Sequence, residues 1–147
     1  MLRSRSGHRP RKLARSLLVV VLWPQAHGAE LTIRVDNIPE GGGRVMIQVL
    51  GSRAAFDGEE PPDASAILPA IAPGIEITTT ALPPGTYGVR VMHDRNGNGE
   101  LDTNLMGIPD EPWGFSNNAQ GTLGPPGWDA VRFDLEGDVI QDIRLNR

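Results

Sequence analysis

The chain has no cysteine, so disulfides, thiolate zinc sites and cysteine nucleophiles are all excluded. A domain of this kind is held by its hydrophobic core, or by a core plus a bound ion. No apolar run approaches the roughly 20 residues that a permanent membrane-spanning helix needs. No helical hydrophobic period persists beyond the N-terminal segment, and nothing repeats at the roughly 20- to 50-residue spacing of repeat proteins. The Gly-x-Ser-x-Gly turn that carries many hydrolase nucleophiles is missing. Lysine occurs once, at Lys12, and histidine only at His8, His27 and His93. The total of 147 residues suits one domain.

What is present begins with an asymmetry of charge. Arg3, Arg5, Arg9, Arg11, Lys12 and Arg15 lead the chain with no acid among them. Residues 17–23 are apolar and uncharged, and the small residues Ala26, Gly28 and Ala29 follow Pro24 and Gln25. That order predicts a secretory signal peptide over residues 1–29, cleaved after Gly28 or Ala29. No adjacent arginine pair precedes the apolar run, which favours general secretion over a twin-arginine route. The expected location is periplasmic or secreted, with no membrane span after cleavage. Six of the fourteen basic residues and none of the eighteen acids lie in this segment, so residues 30–147 carry eight Arg against eighteen acids. A domain near minus ten in charge repels phosphate backbones and anionic lipid, which argues against nucleic acid as a partner. It is suited to divalent cations, and an acidic monomer is the default expectation.

Residues 31–35 alternate apolar and polar, as a strand with one buried face does. Residues 37–43, with Pro39 and three consecutive glycines, are turn chemistry, and 44–50 form a second strand with Val45, Ile47 and Val49 on one face and Met46, Gln48 and Leu50 on the other. These two strands are expected to open the fold as an antiparallel pair. Residues 51–72 predict an irregular connection with one short helical turn, because Pro61, Pro62 and Pro69 interrupt it. Residues 74–81 and 86–93 predict strands around a Leu82–Gly85 turn, with Tyr87, Val89 and Val91 on one face. A long loop, residues 105–128, then separates these from two final strands at 130–135 and 139–145, the second with a phase that slips near Gln141 and Asp142. The expected fold is all-β, one antiparallel sandwich of about seven strands with one long loop, and a barrel is the alternative. The run Leu82-Pro83-Pro84-Gly85-Thr86-Tyr87 resembles a turn-strand element of transthyretin-like modules, which favours a Greek-key sandwich with the aromatic in the inter-sheet core.

The densest chemistry lies between His93 and Asn104. Calcium takes six to eight oxygen ligands, and a loop supplies them from its first, third, fifth, seventh and ninth positions with glycine at the sixth. Counting from Asp94, these positions are Asn96, Asn98, the Glu100 carbonyl and Asp102, with Gly99 sixth. Position twelve is Leu105, where an EF-hand requires Glu, and no helices flank the run. The expectation is a weak extracellular-type calcium loop, with Asn104, Asp110 and Glu111 as further oxygen donors. The alternative is a plain polar turn, since Asn-Gly at 96–97 and 98–99 is a strong turn signal on its own. His93 reads as a packing residue, because imidazole suits softer metals.

The motif from His93 through Asp94, Asn96, Gly97, Asn98, Gly99, Leu101, Asp102, Thr103 and Asn104, and on through Gly107, Ile108, Pro109, Glu111 and Gly114 to Ala119, resembles the bacterial domain of unknown function 2141 family. The resemblance implies a short exported single domain with no assigned activity. Arg95 stands where an acid is common in that family. In the Gly114–Ala119 segment, Trp113 and Phe115 are expected to plug one end of the sandwich while Ser116, Asn117 and Asn118 bond loop backbone. The alternative is a ligand platform of Trp113, Phe115, Asn117 and Asn118, with Trp128, for a glycan or peptide. An envelope protein is the third kind of partner. An enzyme is not expected. A triad of Ser116, His93 and Asp94 conflicts with Asp94's place in the loop, and the remaining hydrolase readings use Glu111, paired with another acid for glycoside hydrolysis, or His93.

Overall fold

Residues 28–146 are described in a computed structural model of the chain. The signal-peptide reading falls on residues 1–27, outside that range, apart from Gly28 and Ala29. Eight strands and two short helices follow in the order β1 (Ala29–Asp36), β2 (Arg44–Leu50), α1 (Arg53–Asp57), β3 (Ala64–Pro69), β4 (Gly74–Leu82), β5 (Gly85–Asp94), β6 (Trp113–Phe115), α2 (Trp128–Val131), β7 (Phe133–Leu135) and β8 (Val139–Arg144). They make two separate sheets, one ordered β4-β1-β8 and one ordered β3-β2-β5-β6, with β7 also on β5. The result is an all-β sandwich and not a closed barrel.

The alternation read from the sequence is what makes the two inner faces. Leu31, Ile33 and Val35 from β1, Val45, Ile47 and Val49 from β2, Val89 and Val91 from β5 and Ile143 from β8 form one continuous buried cluster. Burying a side chain of this kind stabilises the fold by about 1.5–3 kcal/mol. Tyr87 joins the same cluster, and its hydroxyl donates to Pro83 O at 2.8 Å across the Leu82–Gly85 turn.

Four expectations need correction. First, β1 and β2 do not pair: β1 lies between β4 and β8, while β2 lies between β3 and β5. Alternation reports which face is buried and not which strand lies alongside; the left-handed residues Asn37, Gly41, Gly42 and Gly43 carry the chain from one sheet to the other. Second, β1 and β8 run parallel, so the sandwich is mixed and not purely antiparallel. Third, the 51–72 connection holds the expected helical turn as α1 but also a full strand, β3, which is an edge strand and so tolerates Pro69 at its end. Fourth, the predicted 130–135 strand is divided: Trp128 and Val131 sit three apart on a helical turn that packs over Gly88, and only Phe133–Leu135 pairs with β5. In addition, the long loop contains the short strand β6. The phase of β8 does not slip, because Gln141 is itself buried between Val139 and Ile143. No helix among the described residues is long and apolar enough to cross a membrane.

Candidate functional site

Because β5 is ten residues long, its outer face organises everything outside the core. The register places Arg44 beside Asp94, Met46 beside Met92 and Trp113, and Gln48 beside Arg90 and Phe115. Below these rows lie Leu50 and Gly88, covered by α1 and α2 through Ala55, Phe56, Trp128 and Val131. Above them lies the loop that begins at Asp94. The outer face is therefore capped at both ends and concave between.

The Asp94 side chain is fully buried at the strand end and collects three donors. Arg44 Nη2 donates to Oδ2 at 2.9 Å, Gly99 N to the same oxygen at 3.0 Å, and Gly97 N to Oδ1 at 2.7 Å. Both glycines have left-handed φ, 78° and 82°, which lets the backbone fold back over the carboxylate. The next two Asx side chains each close a smaller turn: Asn98 N donates to Asn96 Oδ1 and Glu100 N to Asn98 Oδ1, both at 2.9 Å. The amides of Asn96 and Asn98 then both meet the Asp102 carboxylate, the second through Nδ2 at 2.9 Å. The side chains at the first, third, fifth and ninth positions thus belong to one connected turn.

The additional oxygen donors are placed differently. Glu111 is buried, and its two oxygens accept Arg95 N at 2.7 Å and Asp102 N at 3.1 Å. Asn104 closes its own turn by accepting from Met106 N and Ile108 N. Asp110 is exposed and enters only through its backbone, N to Asp102 O at 2.8 Å. Among the described residues no group of three or more His, Asp or Glu converges. The acids whose side chains bond within the turn are Asp94 and Asp102; Glu100, the third acid of the segment, is exposed and enters through its backbone N–H.

Burial opposes the charge on Asp94, but the Arg44 guanidinium and the Gly99 and Gly97 N–H groups outweigh it and hold the carboxyl below its ordinary 3.8. A group with a depressed folded pKa contributes stability that is complete above the unfolded value and is lost as pH falls through the folded one. In calcium-free buffer the acid limb below about pH 4 is therefore expected to be steeper in the wild type than in Asp94→Asn. Thermal melts across pH 2 to 7 measure the difference, and parallel limbs would contradict it.

In the Gly114–Ala119 segment Ser116 is fully buried, receiving Val89 N at 2.9 Å and donating to Val131 O at 2.6 Å. Asn117 and Asn118 take left-handed φ, which Asn tolerates. Asn117 Nδ2 donates to the carbonyls of Ala130, Val131 and Arg132, while Asn118 bonds Asp142 O and Arg144 N. These amides tie β6 to α2 and β8, and they face away from the concavity. Phe115 contacts Trp113 and Phe56, with ring centroids 5.6 and 5.9 Å apart, and Phe56 contacts Trp128 at 5.8 Å.

His93 points to the opposite side of β5 from Asp94. Its Nε2 donates to Gly42 O at 2.7 Å, and its Nδ1 is buried with no hydrogen-bond partner among the described residues. Ser116, His93 and Asp94 therefore do not meet. Arg44, Met46, Gln48, Arg90 and Met92 escaped notice as site residues. The signal was there, because all five occupy the outward positions of two strands whose inward positions were already assigned.

Residues 33–142 match the model of a bacterial family described as an uncharacterized protein conserved in bacteria, domain of unknown function 2141. No curated protein and no solved structure matches the chain. With a match that runs from β1 to β8 and includes the whole loop built on Asp94, the chain belongs to the domain of unknown function 2141 family.

Proposed function

We propose that this is an exported, non-enzymatic cell-envelope module, periplasmic or secreted, whose Asp94–Asp102 turn takes calcium weakly and braces the long loop against the end of the sandwich. The observation that carries this reading is the single connected turn that gathers these side chains: the amide nitrogens of Asn96 and Asn98 donate to the Asp102 carboxylate, and Gly97 N and Gly99 N donate to Asp94, N–H donors that a bound cation would replace. Asp94, Asn96, Asn98 and Asp102 would hold the ion by side-chain oxygen and Glu100 by its carbonyl. That donor set contains only hard oxygens, as calcium prefers. Arg44 competes for Asp94, and two carboxylates are few, so the affinity belongs in the ~10⁻⁴ to 10⁻³ M range that extracellular sites tolerate. The burial of Ala29 against the core, paired with Leu82, favours signal cleavage after Gly28. The non-enzymatic part of the reading is supported by the dispersal of Ser116, His93 and Asp94, and by the commitment of both Glu111 oxygens to backbone N–H groups.

The test is a thermal melt of the purified protein with calcium against EDTA. An ion at about 10 to 100 times its Kd adds about 1.4 to 2.7 kcal/mol to the folded state, a rise of several degrees in Tm. Asp102→Ala is expected to remove the rise. A flat response at ~10 mM calcium would leave the loop as a polar turn closed by its own hydrogen bonds. Turnover on a panel of ester, glycoside and phosphate substrates would overturn the non-enzymatic reading separately.

A further inference from the structure

The concavity between the outer face of the five-stranded sheet and the overhanging loop measures about 300 Å³. Its floor is Met46, Met92 and Arg90, one wall is Trp113 with Phe115, and its rim is the loop segment Gly99, Glu100 and Leu101. Most of its surface is apolar, yet Arg90, which carries a guanidinium, is among the residues that line it.

That guanidinium is unusual for this chain. Of the seven described arginines, Arg34, Arg44, Arg53, Arg132 and Arg144 pair with carboxylates. Arg95 is exposed. Arg90 is only partly exposed, and its hydrogen bonds go to neutral oxygens: Nε and Nη2 donate to Gln48 Oε1 at 3.0 and 2.7 Å, and Nη1 to Phe56 O at 3.4 Å. Three of its five N–H donors are thereby engaged and two remain. Burial lowers the pKa of this group from its ordinary value, which marks a cation removed from water without an anion to compensate. In a chain with eighteen acids, no described carboxylate pairs with Arg90, and Glu100 is confined to the rim, which leaves the two remaining N–H donors for a carboxylate from outside.

The geometry points to a binding site for a small monocarboxylate with an apolar body, its carboxylate on Arg90 and its body against Met46, Met92 and Trp113. A guanidinium grips a carboxylate through two parallel N–H bonds, which is stronger and more directional than a point charge. Thioethers on an aromatic wall adapt to varied apolar shapes. The volume lies at the low end of the roughly 300–1,000 Å³ of ligand pockets, so the occupant is a single-ring or short-chain acid. Glu100 on the rim adds negative charge and disfavours dianions. This site uses none of the side-chain oxygens assigned to calcium and stands or falls without that reading.

The experiment is a titration of the purified protein, in EDTA, with 3-phenylpropionate, followed by NMR of the methionine methyl groups and by tryptophan fluorescence. Saturable shifts at the Met46 and Met92 methyls are expected, with a Kd of about 10⁻⁴ to 10⁻³ M for a ligand of this size. Arg90→Gln is expected to weaken binding at least about tenfold, and Trp113→Ala to weaken it as well. Succinate and the neutral 3-phenylpropanol are expected to bind the wild type at least about tenfold more weakly, a comparison that needs no variant to fold. Equal binding of the acid and the alcohol, or no methyl shift at ~10 mM ligand, would overturn the site.

Discussion

Ser116→Ala is expected to lower the stability of the domain by about 2–3 kcal/mol, although the change removes a single oxygen. The reason lies in how β5 changes partners. Over Arg90–Met92 it pairs with β6, and over Gly85–Tyr87 it pairs with β7. Between these stretches Val89 has no strand partner on that side, and its N–H donates at 2.9 Å to the Ser116 hydroxyl. The same hydroxyl donates to Val131 O at the end of α2, at 2.6 Å. Alanine leaves the Val89 N–H buried and unpaired, which costs roughly 1–3 kcal/mol, and forfeits a second hydrogen bond of about 1 kcal/mol. Val131 O keeps a donor, Asn117 Nδ2 at 3.1 Å, so the total stays below that of two orphaned groups. For a domain of this size the loss corresponds to roughly 10 °C in Tm. Urea melts check it, with an unchanged m-value as the sign that the denatured state is unaffected. Ser65→Ala, at an exposed edge position, is the control and is expected to stay within about 0.5 kcal/mol. An equal response from the two serines would remove Ser116 from its role.

How much of this was legible beforehand differs between core and periphery. The inward faces of β1, β2 and β5 were legible because alternation over five or more residues leaves few other readings, and the same logic kept Tyr87 in the core. Strand partnership was not. Nothing local in Leu31–Val35 distinguishes a neighbour at β2 from one at β8, since pairing is decided by how distant segments share the core. Short elements were also hidden. Strand β6 has three residues, Trp113–Phe115, too few for any period to register, and it exists because Arg90 and Met92 offer it a ladder. The helical turn at Trp128–Val131 was masked by an apolar-polar pattern that a strand shares. For the candidate site, the spacing of Asp94, Asn96, Asn98 and Asp102 was legible as one turn. The Arg44 bond to Asp94 was not, because it depends on a cross-strand register fifty residues away in sequence. The two stacked methionines beside Trp113 depend on that register too.

Glu111→Ala is expected to open the long loop while leaving the sandwich standing. Glu111 lies where the chain returns to the sheet, just before Pro112 O accepts His93 N at 2.8 Å. From there it reaches back to both ends of the Asp94–Asp102 turn, accepting Arg95 N with one oxygen and Asp102 N with the other. Each is a charge-assisted bond of about 1.5–3 kcal/mol, and together they oppose the entropy of ordering a loop of this length. No residue between 94 and 111 belongs to the main core cluster, so the loss is local: Tm is expected to fall by only a few degrees. Amide exchange at Arg95 and Asp102 should accelerate by about two orders of magnitude or more. Leu105, Met106 and Ile108 are already exposed and should become the preferred protease sites once the backbone around them can open. Glu111→Gln sharpens the argument. Its amide has one acceptor oxygen, so it can keep one of the two N–H groups and must turn its own NH₂ toward the other. If the carboxylate acts as a two-ended clasp, the glutamine variant falls near the alanine variant in exchange. If exchange in Glu111→Gln matches the wild type, the two-ended clasp is wrong and the order of the loop rests on the other bonds of the turn, those to Asp94 and Asp102 first.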